Sequence, residues 1–263
     1  MTFVLFFILG LFIGSFLNVL SDRLPRQESV IKGRSYCEKC KKTLEWYDLI
    51  PLLSFILLKG KCRYCKANLS FYYPFAELIT GILFTLTAFF VFNGSQLLIF
   101  NFQSLLSLIY YLLIVSSLIV VFFTDLKYGV IPGIIIFFAT LISFIYLMLN
   151  PQLPILPHLL SAVGAGLFFL ALYIGTKKRG MGFGDVEVAF LMGLTLGFPD
   201  IVVSLYIAFL VGAIIGVIFI FLKKKKISGA TIPFGPFLVL GTLSAIFWGG
   251  IIVPKAMLIL GLR

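Results

Sequence analysis

Apolar residues gather in eight runs, at about 3–20, 74–92, 104–124, 130–149, 158–175, 186–198, 200–222 and 234–253. A helix of about 20 apolar residues crosses the hydrocarbon core of a bilayer. Inside lipid the backbone must satisfy its own hydrogen bonds, which leaves helices and closed barrels as the spanning structures. The pattern predicts an all-α polytopic membrane protein with about eight transmembrane helices. The run at 186–198 is short for a crossing, and Pro199 next to Asp200 marks a tight turn after it. The first run carries no cationic residues before it. Gly10 and Gly14 interrupt it, and no small-residue cleavage site follows in Ser21–Arg26, so it reads as a retained first span.

One stretch breaks the pattern. Residues 21–73 are polar, basic and hold all four cysteines. The predicted organisation is a first transmembrane helix at 1–20, a small cytoplasmic zinc-binding insert at 21–73 and a membrane domain at 74–263.

Composition agrees with a membrane solvent: the chain is 61% hydrophobic and 12% charged, against roughly 45–50% and about 25% for soluble domains. The net charge of +11 first suggests nucleic acid. However, the basic residues are spread along one membrane face rather than clustered on a binding surface, which argues against nucleic-acid binding. If residues 21–73 are cytoplasmic, eight alternating spans put Lys127, Lys177–Arg179 and Lys223–Lys226 on that same side. Of 21 Lys and Arg, only Lys255 and Arg263 then lie outside. Such asymmetry marks the cytoplasmic face and places both termini outside. Lys223–Lys226 read as an anchor to anionic membrane lipids. No repeated halves are evident, which counts mildly against a transporter.

Acidic residues within apolar runs are costly and point to function. Four stand in or at the edge of such runs: Glu77, Asp125, Asp185 and Glu187. Asp125 ends one span, and Asp185 lies in the glycine-rich Gly180–Asp185 segment. The topology puts both at the cytoplasmic depth. Two carboxylates held close share one proton and can act as general base and general acid on a peptide bond. Gly180, Gly182 and Gly184 offer a backbone free of side chains and tolerant of positive φ. The plainer alternative pairs Asp125 with Lys127 and makes Asp185 a helix cap. Two aspartates on one face, one within a glycine-rich turn, favour catalysis. Glu77 lies at the same depth, suited to orienting a substrate amine or to pairing with a basic loop residue. His158, the single histidine, falls on the outer side and is assigned no role.

The cysteines form two CxxC pairs, Cys37/Cys40 and Cys62/Cys65. Two such pairs suit one tetrahedral structural zinc, and the surrounding lysines favour thiolate. Two disulfides are the alternative; the reducing cytoplasm argues for zinc.

The chain closely resembles the type IV prepilin peptidases, leader peptidases of the GxGD aspartic membrane proteases. Gly182-Phe-Gly-Asp185 matches the GxGD motif, and Asp125, followed by Ile131-Pro132, matches the first catalytic aspartate. Gly14–Asn18, Arg23–Pro25, Leu44–Phe55, Tyr73–Gly81 and Ile232–Pro236 resemble further family segments. The resemblance runs from Gly14 to Gly241. It implies an aspartic endopeptidase of the bacterial inner membrane, with 74–263 as its peptidase domain. Its substrates would be type IV prepilins or pseudopilins, cut after a glycine at the cytoplasmic face. It also implies N-methylation of the new terminal residue, usually Phe, with S-adenosylmethionine. Asn18, Arg23 and Gly60 are the candidates for that cofactor, as polar or glycine positions near the insert's boundaries. Where the family commonly has Lys, this chain has Glu187, a second carboxylate near Asp185. Two readings compete: a proton-coupled transporter using the membrane carboxylates, and a zinc-stabilised scaffold in which the aspartates are dispensable.

Overall fold

A computed structural model describes residues 2–30, 32–93, 102–177, 181–222 and 233–259. Lys178, Arg179, Gly180, Lys223–Lys226, Ile232 and Arg263, which enter the charge and motif arguments above, lie outside the described residues.

Each of the eight apolar runs is a helix. In chain order these are α1 (Thr2–Arg23), α3 (Tyr72–Asn93), α4 (Phe102–Tyr128), α5 (Gly133–Leu149), α6 (Ile155–Gly175), α7 (Phe183–Leu196), α8 (Asp200–Leu222) and α9 (Gly235–Ile259). A short α2 (Leu53–Leu57), preceded by a 3-10 turn at Trp46–Leu49, belongs to the polar insert. The described residues contain no β-strand, only two isolated bridges, Tyr36 with Thr43 and Lys61 with Asn68. The protein is a multi-pass helical membrane protein. Six helices (α1, α3, α4, α6, α8 and α9) have the length and apolarity to cross a bilayer.

The other two are shorter. α5 has 17 residues and α7 has 14. At 1.5 Å per residue, α7 spans about 21 Å against a hydrocarbon core of about 30 Å. Its sequence is apolar for a different reason. Asp185, Val186, Val188, Ala189, Leu191, Met192, Gly193, Leu194 and Thr195 are all buried, so protein rather than lipid surrounds it.

The chain divides into two compact units, Met1–Val120 and Val121–Arg263, with the boundary inside α4. In the first unit α1 packs along α3 through small residues. A methyl group on Gly10 would come 2.7 Å from the Gly81 Cα, and one on Gly14 would come 2.8 Å from the Glu77 Cα. In lipid, helices associate through this close van der Waals fit rather than through a hydrophobic driving force. The two glycines that interrupt the first apolar run are therefore its docking seam. Phe3 and Phe6 continue the contact onto Ala88, Phe92 and Leu108.

The second unit is built around α7. Gly193 lies against the α6 backbone at Ser161 and Ala162. Ser143 of α5 and Thr195 bring their hydroxyls to 3.5 Å. α8 and α9 pack together at Gly241 and Ser204, and through Phe209 and Phe234. His158 reaches the end of α7, with its Nδ1 2.9 Å from the Leu194 carbonyl oxygen.

Candidate functional site

The second unit contains both candidate aspartates. Asp125 lies in the last turn of α4 and is 6% exposed; Asp185 lies in the first turn of α7 and is 5% exposed. Their carboxyl groups are close enough to interact electrostatically. One contact ties their two segments, and a third segment reaches Asp125. Ile131, in the turn leaving α4, packs on Gly184, where a methyl group would come 2.7 Å from the Ile131 Cβ. Gly235, the first residue of α9, donates its backbone N–H to Asp125 Oδ2 at 2.9 Å. That puts the positive end of a helix at the carboxylate.

Asp185 uses its two oxygens differently. Oδ2 accepts the Gly182 N–H at 3.0 Å, tying back the start of its own helix. Oδ1 is buried and has no hydrogen-bond partner. The capping reading thus accounts for one oxygen and leaves the other available for chemistry. The glycines matter for space rather than for backbone freedom. Gly182 is extended, with φ −81° and ψ 156°, and neither Gly182 nor Gly184 has positive φ.

Glu187 is separated from this pair. Asp125 is the carboxylate acting on Asp185. The Glu187 side chain turns to the other side of α7, where it lies against Gly133 and lines a cavity of about 430 Å³. Apart from Thr140 the rest of the lining is apolar, with Phe137, Val163, Leu170, Phe183 and Phe190 among its walls.

In the first unit the four cysteines converge. Their sulfurs all lie within 4.8 Å of one another, Cys37 and Cys65 at 3.9 Å, and all four are free thiols. They can hold one metal ion. Two matching knuckles present them. Cys37 N–H donates to the Lys42 carbonyl at 3.0 Å and Lys41 N–H to Cys37 at 2.8 Å; Cys62 and Lys66 repeat both bonds, with Ala67 in place of Lys42, at 2.8 and 3.0 Å. Lys41 and Lys66 share a left-handed φ of 56° and 57°. The thiols are not equivalent. Burial opposes ionisation of Cys62, but the N–H groups of Cys65 and Tyr64 outweigh it and bring that thiol down to about 7. The Ala67 N–H favours a Cys65 thiolate, but burial and the neighbouring thiols prevail and hold Cys65 up at about 11. With no cation among them, one thiolate forms at the expense of another; a divalent metal removes that conflict. Asp48 braces the second knuckle by accepting from Arg63 Nε at 2.6 Å.

The remaining candidates separate by what they touch. Arg23 is buried and donates to the carbonyls of Ser29 (2.9 Å), Lys32 (3.4 Å), Gly33 (3.4 Å) and Arg34 (3.1 Å). Its guanidinium organises the start of the insert. Gly60 has φ +69° and faces the Phe55 ring, as a turn residue before the second knuckle. Asn18 donates to the Tyr73 carbonyl at 3.1 Å, but its buried Oδ1 has no partner, nor does the buried Oγ of Ser21, one turn along the same helix. Glu77, on the same α1–α3 seam, accepts the Leu52 N–H at 2.9 Å.

Residues 8–91 match the family model described as the Bacterial Peptidase A24 N-terminal domain, and residues 112–217 match the Type IV leader peptidase family. A protein of Bacillus subtilis (strain 168) named prepilin leader peptidase/N-methyltransferase is 33% identical, covering 94% of each chain. The chain belongs to the type IV leader peptidase family. Proteins of the same name from Legionella pneumophila, at 31% identity over 95% of this chain and 93% of theirs, and from Aeromonas salmonicida (strain A449), at 30% over 94% and 91%, are also similar. No solved structure matches it.

The first matched region lies within the first unit, and the second begins at residue 112 and runs into the second unit. The first holds α1, the cysteine insert and α3; the second holds Asp125, Asp185 and Glu187. Gly235 lies beyond both matches. In the sequence it is one glycine within Ile232–Pro236, a segment that resembles the family, and nothing there points to Asp125. The twin knuckles do leave a signal: Cys37, Cys40, Lys41 and Leu44 repeat 25 residues on as Cys62, Cys65, Lys66 and Leu69. Ser21 leaves none, because an orphaned hydroxyl is a property of packing.

Proposed function

We propose that this protein is an aspartic endopeptidase that removes the basic leader of prepilins or pseudopilins. It cuts after a glycine at the cytoplasmic membrane face, and the protein then N-methylates the new terminus with S-adenosylmethionine. The observation that carries this reading is the pairing of Asp125 with Asp185 at the edge of the membrane helices, with Asp185 Oδ1 buried and unpartnered.

The chemistry follows from two acids sharing one proton. The ionised aspartate takes a proton from water as the water oxygen attacks the scissile carbonyl carbon. The protonated aspartate gives its proton to the carbonyl oxygen. The resulting diol collapses: the C–N bond breaks, the amine leaves with a proton from the first aspartate, and one diol hydroxyl returns its proton to the second aspartate, leaving a carboxylic acid and the original pair. Each aspartate accepts one backbone N–H, Asp125 from Gly235 at 2.9 Å and Asp185 from Gly182 at 3.0 Å, so either can serve as the base while the other holds the proton. Gly182, extended and without a side chain, leaves room for a substrate backbone beside them.

The four-cysteine site suits zinc. Sulfurs about 2.3 Å from a tetrahedral centre lie about 3.8 Å apart, close to the 3.9 Å between Cys37 and Cys65. The metal's role is structural, because all four ligand positions are filled by protein.

The methyl donor has residues to meet it. Buried polar atoms are nearly always hydrogen-bonded, so Asn18 Oδ1 and Ser21 Oγ are where a polar ligand would be held, with the Glu77 carboxylate on the same seam. S-adenosylmethionine supplies an electrophilic methyl group when bound. Arg23 contributes by shaping the loop that follows.

The test is the mass of the product. Purified protein in lipid is mixed with a prepilin and S-adenosylmethionine. The proposal expects a pilin shortened by its leader and heavier by one methyl group. Intact prepilin would refute the peptidase reading; a shortened but unmethylated product would refute the second activity. Proton flux without cleavage would favour the transporter.

A further inference from the structure

The short helix α2 (Leu53–Leu57) leaves an apolar face uncovered. Leu53, Ile56 and Leu57 are 53%, 68% and 72% exposed. Their i, i+3, i+4 spacing puts them on one face. The other side is engaged: the Phe55 ring packs on Phe71 at 5.2 Å and lies against Gly60. Three exposed large aliphatic residues in a five-residue helix need a partner.

The depth of this helix is set by a hydrogen bond. Leu52, the residue that begins α2, gives its N–H to Glu77 Oε2 at 2.9 Å. Glu77 lies five residues into α3, and helix side chains lean toward the amino end. Leu52 is therefore level with the first turns of a membrane-crossing helix. Those turns carry Tyr72, Tyr73 and the exposed Phe75, and the exposed Phe71 precedes them. Aromatic residues at the end of a span mark the headgroup layer. Lys59 and Lys61, both exposed, follow α2 directly and can hold their ammonium groups among anionic headgroups.

We infer that α2 is an interfacial helix, lying in the bilayer headgroup layer with Leu53, Ile56 and Leu57 toward the acyl chains and Lys59 and Lys61 on anionic lipid. The insert is then fastened to the membrane along its length, not only where α1 and α3 enter. The apolar stretch Leu49–Leu58, broken by Ser54, is too short to register as a membrane span.

The full-length protein carries two tryptophans, Trp46 and Trp248, so a single reporter is available. Trp46→Phe, Trp248→Phe and Leu57→Trp are combined, and the protein is reconstituted in phosphatidylcholine bilayers with and without phosphatidylglycerol. The expected result is blue-shifted emission that falls about twofold or more when the lipid is brominated near the glycerol, and less when it is brominated at the chain ends. Adding Lys59→Glu and Lys61→Glu should remove the extra quenching seen with phosphatidylglycerol. Emission typical of water, quenched by acrylamide, would overturn the inference. So would blue-shifted emission that no brominated lipid quenches, because protein and not lipid would then cover the helix. Neither readout depends on peptidase activity.

Discussion

Gly235 donates its backbone N–H to the Asp125 carboxylate at 2.9 Å, across 110 residues of chain. The contact leaves no room for a side chain, since a methyl group on Gly235 would come 2.6 Å from Asp125 Oδ2. Gly235→Ala should displace the carboxylate and lose a hydrogen bond to a charged group, a loss of about 1.5–3 kcal/mol. The expected outcome is a fall in prepilin cleavage of roughly 10- to 100-fold with helical content unchanged by circular dichroism.

The two glycines of the Gly182–Asp185 motif should respond differently. Gly184→Ala forces a methyl group against Ile131, and overpacking of this kind costs about 1–3 kcal/mol. It should lower the thermal midpoint and cleavage together. At Gly182 a methyl group meets Asp185 Oδ2 only at 3.7 Å, an ordinary contact. Gly182→Ala should therefore melt like the wild type, while cleavage falls because the substrate's approach is narrowed. Equal melting losses in both variants would contradict this division.

Glu187 tests which acids share the proton. It faces the apolar cavity rather than Asp125. Glu187→Gln should leave cleavage within a few-fold of wild type, whereas Asp185→Asn should lower it by about 10²–10⁴-fold, the usual reach of general acid–base catalysis. Cleavage assays on the two variants, side by side, distinguish these outcomes.

The cysteine insert should depend on its metal. Cys62→Ser removes one ligand, and structural zinc sites commonly fold only with the metal bound. Metal analysis should show loss of zinc, and limited proteolysis should cut between Arg23 and Tyr72. Chelation of the wild type should give the same fragments. Full zinc content in Cys62→Ser would contradict the four-thiolate site.

The sequence and the structure divide the account along physical lines. Eight apolar runs are legible as eight helices because helical length and lipid solvation act on local sequence. α7 shows the limit: its apolar residues read as a crossing, but Val188, Leu191 and Met192 are apolar because other helices surround them. The cysteines are legible because ligand spacing is local. The contacts that hold the two aspartate segments are distant in sequence, and Gly184 against Ile131 and Gly235 against Asp125 leave only the mark of a glycine. The sequence reads Gly182 and Gly184 as free of side chains and tolerant of positive φ; neither has positive φ, and close approach to a neighbour is found at Gly184 alone.

The central claim is that Asp125 and Asp185 act as one catalytic pair. It is tested most directly by the rate of leader removal from a prepilin by Asp125→Asn, Asp185→Asn and the double variant in lipid. Each single change should lower cleavage to the same floor, and the double change should fall no further, because residues acting as a unit are not additive. Cleavage at the wild-type rate in either single variant would contradict the pair.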